Sequence, residues 1–283
     1  MSELSRAAIR LAFDRAARTY DESAVLQRTV ADELIDRFQW LAVEPRVILD
    51  VGTGTGYALP RLRKRFRKSR IIGCDIAPLM VREAKRHRGL WCPSALFAAD
   101  GERLPLASQS VDCVYSSLSL QWMDLDRAFA EFLRVLRPGG VLTFSTFGPD
   151  TLQELRAAWA GVDRRPHVHP FADMHDVGDA LIRAGFADPV LDVERFTLTY
   201  DTATEALHDL KRIGARNAFK GRFMGLTGKA RYQQFIKAYD QYRCDGRLPM
   251  TYEVVYGQAW CPAVPAARSG EISIPAAALR RPR

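Results

Sequence analysis

A doubly wound α/β domain, its sheet mostly parallel, is the fold that this sequence predicts, and three observations predict it. Short β-rich runs follow one another through the first half: "RVILDV" (46–51), "RIIGCDI" (70–76), "ALFAAD" (95–100), "VDCVYSSL" (111–118) and "GVLTFSTF" (140–147). Helical stretches separate the first three, near 57–68 and 78–88, and "DRAFAEFLRVLRPGG" precedes the fifth. Strands alternating with helices build parallel βαβ units, and the right-handed crossover rule leaves few topologies for them. The first run then breaks into alternating glycines, "LDVGTGTG" (49–56). A chain does this where a strand turns tightly into a helix beside a ligand.

The remaining elements fall on either side. Residues 5–42 read as helical throughout, with Val25, Val30, Leu34, Ile35, Phe38 and Leu41 at helical spacing and no Gly or Pro before Pro45. "DMHDVGDALIRAGF" (173–186) is a further helix with a glycine stop. "DPVLDVERFTLTY" (188–200) and "TYEVVYGQAW" (251–260) are two more strands, and 203–243 between them reads as a basic helical insertion. The expected organisation is an N-terminal helical cap (1–44), a ligand-binding core (45–200), the insertion (201–249), a last sheet strand (250–262) and a Pro- and Ala-rich tail (263–283).

The composition of the 283 residues, 47% apolar and 26% charged, is that of an ordinary soluble globular chain. No stretch approaches the ~18 uninterrupted apolar residues of a membrane span, and the N-terminal segment lacks the pattern of a secretory signal. Five scattered cysteines, without paired metal spacing, suit a reducing cytoplasm. The net charge of +8 gathers in two runs, 61–70 and 211–231, each with seven Lys or Arg and no acid. Such runs suit an acidic partner, whether nucleic acid, anionic surface or acidic protein. Aromatic residues suited to stacking bases are sparse in them, which argues against nucleic acid.

The glycines discriminate among cofactors. A dinucleotide fingerprint is G-x-G-x-x-G, whereas Gly52, Gly54 and Gly56 alternate and Tyr57 holds the fingerprint's last position. No Gly-Lys-Ser/Thr of a phosphate loop is present. Asp50 precedes the turn, and an acid there suits an ammonium group better than a pyrophosphate. Asp75 closes the second strand, placed to accept from both ribose hydroxyls, and Asp100 closes the third, placed to accept from an adenine amine, with Gly101 allowing close approach. A ligand with an ammonium group, a ribose and an adenine but no phosphate is S-adenosylmethionine.

"LDVGTGTG", "GCDIAPLM", "ADGERLPL" and "LRVLRPGGVL" resemble, in order and spacing, the class I S-adenosylmethionine-dependent methyltransferases over about residues 45–147. The resemblance implies a Rossmann-like sheet with its last strand antiparallel, and cofactor contacts from Thr53, Ile76, Met80 and Ser116 beside the acids and glycines above. The flanks "AFDRAARTYDESAVLQ", "SSLSLQWMDLDRAFAE", "STFGPDTLQELRAAW", "PFADMHDVGDALIRAGFADPV" and "TYEVVYGQAW" look like the malonyl-acyl-carrier-protein O-methyltransferases of biotin synthesis. That family methylates the free carboxyl of a malonyl thioester on a carrier protein. The arginine-hydroxylating assembly factor of mitochondrial complex I shares the "AFDR…Y" and "DTLQELR" patterns, and a small-molecule methyltransferase on the same fold is a further alternative.

On this reading the nucleophile is a carboxylate with a pKa of about 4, already ionised at neutral pH, so no general base is required. Tyr20, Arg156 and His175 are the expected orienting residues, with Gln121 and Trp122 after the fourth strand meeting the substrate. Lys211, Arg212, Arg216, Lys220 and Arg222 are the expected docking residues for the acidic carrier, and 61–70 a solvated face. "HVH" (167–169) has no obvious third ligand, and no metal is expected.

Overall fold

The computed structural model describes residues 4–87, 95–163, 165–215 and 228–263. Its sheet contains β1 (Val47–Val51), β2 (Arg70–Asp75), β3 (Ala95–Ala98), β4 (Val111–Ser117), β5 (Leu136–Phe147), β6 (Ala187–Tyr200) and β7 (Leu248–Trp260). They lie side by side in the order β3-β2-β1-β4-β5-β7-β6. The first five are parallel, while β7 runs antiparallel to both its neighbours, β5 and β6. The mostly parallel sheet with its last strand antiparallel is as expected.

Helices cover both faces. On one side α3 (Val25–Asp36), α4 (Ala58–Arg65), α5 (Pro78–His87), α7 (Gln153–Ala160), α9 (Ala203–Arg212) and α10 (Lys229–Asp240) share a continuous apolar cluster with the strands. On the other, α6 (Leu125–Val135) and α8 (Met174–Ala184) bury Phe129, Phe132, Val177 and Leu181. The helix starts follow local chemistry. Asp124 accepts from the Arg127 amide at 3.1 Å, Asp173 from Asp176 at 2.8 Å and Thr202 from Glu205 at 3.1 Å, each satisfying an orphan N–H of the first turn.

Two stretches differ from expectation. Residues 5–42 form separate helices, α1 (Arg6–Ala16), α2 (Tyr20–Ser23) and α3, followed by a 3-10 turn. The breaks let α1 pack Ala16 and Ala17 against Ala77 and Met80 while α3 packs under the sheet. β5 begins at Leu136 rather than near Gly140, because Leu136 already pairs with Val111 before a register shift.

The switch point lies between β1 and β4, where successive crossovers leave in opposite directions. Ligands of open α/β sheets bind at this place, beyond the carboxyl ends of the strands. α1 and α2 lie across that rim.

Candidate active site

The β1–α4 turn is held by its own backbone. The amides of Gly52 and Thr53 both donate to the Cys74 carbonyl, at 2.8 and 2.9 Å, pinning the turn to the end of β2. Gly52 has a φ of +76°, and a Cβ there would stand 2.4 Å from that of Ser119. Gly54 has a φ of +54° and open space where a Cβ would be. One glycine is required by packing; the other leaves room.

Two carboxylates face this turn. Asp50 is 2% exposed and accepts from the Thr53 hydroxyl at 2.7 Å. Asp75 accepts from the Gly54 amide at 3.0 Å and from Ala77 at 2.8 Å. Burial pushes Asp50 up to about 7, against the lowering effect of the Thr53 hydrogen bond and with Asp75 adding to the rise. Burial likewise pushes Asp75 up to about 6, against its two backbone donors. Two buried carboxylates beside one turn suit a ligand that brings positive charge.

Three neighbouring cavities surround these groups. The first, about 580 Å³ of empty space, lies between Gly52, Gly54, Asp75, Ile76, Met80 and Gly101 below and α1 above. The second, about 460 Å³, is walled by Asp50, Thr53, Thr55, Gln27 and Arg28. The third, about 760 Å³, extends away beneath α7 and α9 and is lined by Gln121, Trp122, Phe147, Leu152, Leu155, Phe171, Leu210 and Tyr252. Apolar walls with a few convergent polar groups are those of small-molecule sites. Tyr20 borders all three cavities. Its burial, with Asp75 and then Asp21 nearby, raises its hydroxyl well above the ordinary tyrosine range, so it remains protonated.

The chemistry of this donor set fits S-adenosylmethionine. Asp50, Thr53 and the Gly52–Gly54 turn would hold its amino-acid end, Asp75 and Ile76 its ribose, and Met80 and Gly101 its adenine. No lysine or arginine lines the second wall except Arg28, whose guanidinium donates to the Asp21 backbone carbonyl.

The structure does not bring every anticipated residue into these cavities. Gly56 packs against Ala84 and Leu59 instead of facing a cavity. The Ser116 side chain is fully buried and bonded to Ser119 at 2.6 Å; its neighbours Ser117 and Ser119 line the first cavity in its place. Arg156 donates to the carbonyls of Pro149 and Thr151, both at 2.9 Å, so it braces the β5–α7 loop instead of clamping a substrate. The His175 side chain is 87% exposed in the first turn of α8, 3.9 Å from Asp173, and lines none of the three cavities. Both are corrections to the expected orienting set. Asp100 binds Arg6 rather than standing open. The two histidines of "HVH" diverge. His167 stacks on Trp159 with centroids 3.8 Å apart and bonds Asp163 at 2.8 Å. His169 lies parallel to Trp122, and burial pushes it down to about 4. Among the described residues, no group of three or more His, Cys, Asp or Glu is arranged to hold a metal.

Lys211 is exposed at the end of α9, while Arg212 pairs with Glu22 of α2. Arg216, Lys220 and Arg222 lie outside the described residues. Sequence reasoning missed Arg6, Phe13, Gln27, Thr151 and His169, which reach the cavities from distant elements. Ile9 and Phe13, four residues apart on one face of α1, are the signal in the sequence that could have found its role. No helix among the described residues is long and apolar enough to cross a membrane.

Comparison with known proteins gives a consistent result. A family model described as a methyltransferase domain matches residues 49–144. Among solved structures, the chain is similar to the YcgJ protein of Bacillus subtilis, with a TM-score of 0.59 at 16% identity, covering 83% of this chain and 98% of that one. It is also similar to a Haemonchus contortus phosphoethanolamine N-methyltransferase in complex with S-adenosylhomocysteine, with a TM-score of 0.54 at 17% identity, covering 88% and 57%. At these identities both speak for the fold alone. Sequence relatives are much nearer. The chain is 53% identical to a malonyl-[acyl-carrier protein] O-methyltransferase of Laribacter hongkongensis, over 90% of this chain and 89% of the relative. It is 47% identical to one of Gallionella capsiferriformans, over 94% of each. With such identity along nearly its whole length, and with a cofactor turn and strand-end acids in place, the chain belongs to the malonyl-[acyl-carrier protein] O-methyltransferase family.

Proposed function

We propose that this enzyme transfers a methyl group from S-adenosylmethionine to the free carboxylate of malonyl-acyl-carrier protein, giving the malonyl methyl ester for the biotin pathway. One observation carries the reading beyond the family name. Among the described residues, no lysine or arginine lines the third cavity, which shares Tyr20 with the cofactor cavities. A carboxylate nucleophile held by a guanidinium loses nucleophilicity to the charge-assisted pair. Neutral partners leave it reactive. Tyr20 and Gln121 offer neutral hydrogen-bond donors there, the Thr151 hydroxyl donating instead to the Glu253 carbonyl, and His169 is neutral at physiological pH because burial lowers its pKa.

Bound in the first two cavities, S-adenosylmethionine supplies a methyl group on a positively charged sulfur. The protein's residues orient and exclude. Asp50 and Asp75 fix the cofactor ends, Tyr20 caps the junction, and Phe13, Leu118 and Trp122 form the apolar partition that keeps water from the reacting atoms. Rate enhancement on this scheme comes from proximity and desolvation, with no proton transfer by the enzyme. The largely apolar third cavity suits an acyl group delivered on a long thioester arm. A cytoplasmic setting agrees with unpaired Cys74 and Cys113 buried in β2 and β4.

Intact-protein mass spectrometry of malonyl-carrier protein, incubated with the purified enzyme and S-adenosylmethionine, tests the proposal. A gain of one methylene mass, lost on ester hydrolysis, is expected; no gain would overturn it.

A further inference from the structure

α1 is fastened over the cofactor cavity in two different ways. At its C-terminal end Ala16 and Ala17 pack on Ala77 and Met80, and Asp14 accepts from the Leu79 amide at 2.8 Å. At its N-terminal end the attachment is mostly polar. Arg6 Nε donates to Asp100 Oδ2 at 2.8 Å, and the same guanidinium donates to Asp100 Oδ1. A third nitrogen contact reaches the Trp122 carbonyl at 2.6 Å, and Glu102 stands 3.1 Å away. Asp100 and Glu102 are in turn fixed by backbone donors, the amides of Glu102 and Asp124 at 3.0 and 2.9 Å.

Arg6, Ile9 and Phe13 form the roof of the first cavity, and Gly54, Asp75 and Met80 lie beneath. A ligand held between them is uncovered when α1 lifts. Lifting the N-terminal end breaks the Arg6 contacts, whereas the alanine packing and the break after α1 at Ala17–Thr19 provide a pivot. The Arg6 and Asp100 side chains are about one-third exposed, 29% and 31%, so water and salt reach the pair.

We propose that Arg6 is a positioning residue that latches α1 over the bound cofactor and sets the rate at which S-adenosylhomocysteine leaves. The latch rests on the cavity beneath α1 being the S-adenosylmethionine site.

The test is stopped-flow displacement of S-adenosylhomocysteine from the full-length enzyme, followed by tryptophan fluorescence. Arg6→Ala is expected to raise the dissociation rate about tenfold or more, as loss of a bidentate charge-assisted contact implies. Arg6→Lys, which retains charge but not the fork, falls between. Release from the wild type accelerates with salt, and release from Arg6→Ala does not. Glu102→Gln, which leaves the Arg6–Asp100 pair in place, gives a smaller acceleration and keeps the test available should Arg6→Ala fold poorly. Arg10→Ala, on the same helix but paired only with Asp14, leaves the rate unchanged. Unchanged release from Arg6→Ala at an unchanged Tm, or equal acceleration in Arg10→Ala, overturns the latch. A wild type that binds no S-adenosylhomocysteine overturns the cofactor site itself.

Discussion

The Gly54 amide donates to Asp75 Oδ2 across 3.0 Å, tying the glycine turn after β1 to the acid that ends β2. The two halves of the cofactor site are therefore one unit. Asp75→Ala removes both the proposed ribose acceptor and the anchor of the turn. S-adenosylmethionine affinity measured by calorimetry should fall at least tenfold, with a smaller loss in Asp75→Asn, which keeps one acceptor oxygen. Full affinity in Asp75→Ala would mean that the ribose binds elsewhere.

The same pair makes cofactor binding depend on pH. Without ligand, Asp50 and Asp75 titrate near 7 and 6, and a cationic ligand selects their ionised forms. Affinity should therefore rise with pH between about 5.5 and 7.5, with net proton release on binding below pH 7. The sign for stability is opposite. A carboxyl whose folded pKa is raised costs stability as pH climbs from its unfolded value, ~4, through its folded value. The unliganded protein should lose stability over that window, and the rise in Tm caused by S-adenosylmethionine should be larger at pH 8 than at pH 6. On the proposed base-free mechanism, kcat at saturating cofactor should stay flat from about pH 6 to 8. A bell-shaped kcat profile in that range would sink the base-free mechanism.

Gly52 and Gly54 should fail in different ways. Both have positive φ, where a side chain costs about 1–3 kcal/mol of strain. In Gly52→Ala the new Cβ also strikes Ser119 at 2.4 Å, a backbone-proximal atom that cannot swing aside. Thermal unfolding should show the larger Tm loss there. In Gly54→Ala the Cβ enters open space bordering the cofactor cavities, so Tm should change less while cofactor affinity collapses. Equal Tm losses would refute this division.

Much of this site was legible in the sequence because its parts sit at strand ends. A strand followed by a glycine turn declares Asp50, and the parallel period then locates Asp75 and Asp100. Side chains whose roles depend on tertiary packing were not legible. Ser116 and Ser117 are adjacent, and only the facing of β4 decides which lines the cavity. Arg156 sits on the expected helix, yet the turn at Pro149–Thr151 captures its guanidinium. Arg6 reaches Asp100 across 94 residues of sequence, and nothing local marks it. The break of the N-terminal helix near Thr19 was hidden because no Gly or Pro causes it.

Tyr20 offers a test of the junction. Tyr20→Phe keeps the ring that caps the cavities but removes the hydroxyl. Loss of one hydrogen bond to the charged substrate, about 1.5–3 kcal/mol, corresponds to roughly a ten- to hundredfold drop in kcat/KM for the carrier substrate. Cofactor affinity should change little, whereas Tyr20→Ala should weaken both. Unaltered kcat/KM in Tyr20→Phe would restrict the residue to packing.

The two basic runs should separate in their effects on the carrier protein. In 61–70 the arginines have structural tasks. Arg61 bonds Asp32 at 2.6 Å and lies over the Tyr57 ring, and Arg63 donates to the Ser69 carbonyl at 2.7 Å. Lys64, Arg67 and Lys68 are left exposed to solvent. At the end of α9 the setting differs, because Leu210, Ile213 and Ala215 line the third cavity while Lys211 faces outward beside them. Charge at that rim can steer an acidic carrier and orient its thioester arm. Lys211→Glu should raise KM for malonyl-carrier protein severalfold, most strongly at low salt, since exposed charges are screened within ~10 Å at 0.1 M. Turnover of malonyl-CoA, where measurable, should be unchanged. Arg212→Glu should behave differently, impairing both substrates, because Arg212 pairs with Glu22 on the short helix that carries Tyr20. Reversal of Lys64 and Lys68 should leave both KM values near wild type. If that reversal raises KM for the carrier and Lys211→Glu does not, the carrier docks on the α4 face instead.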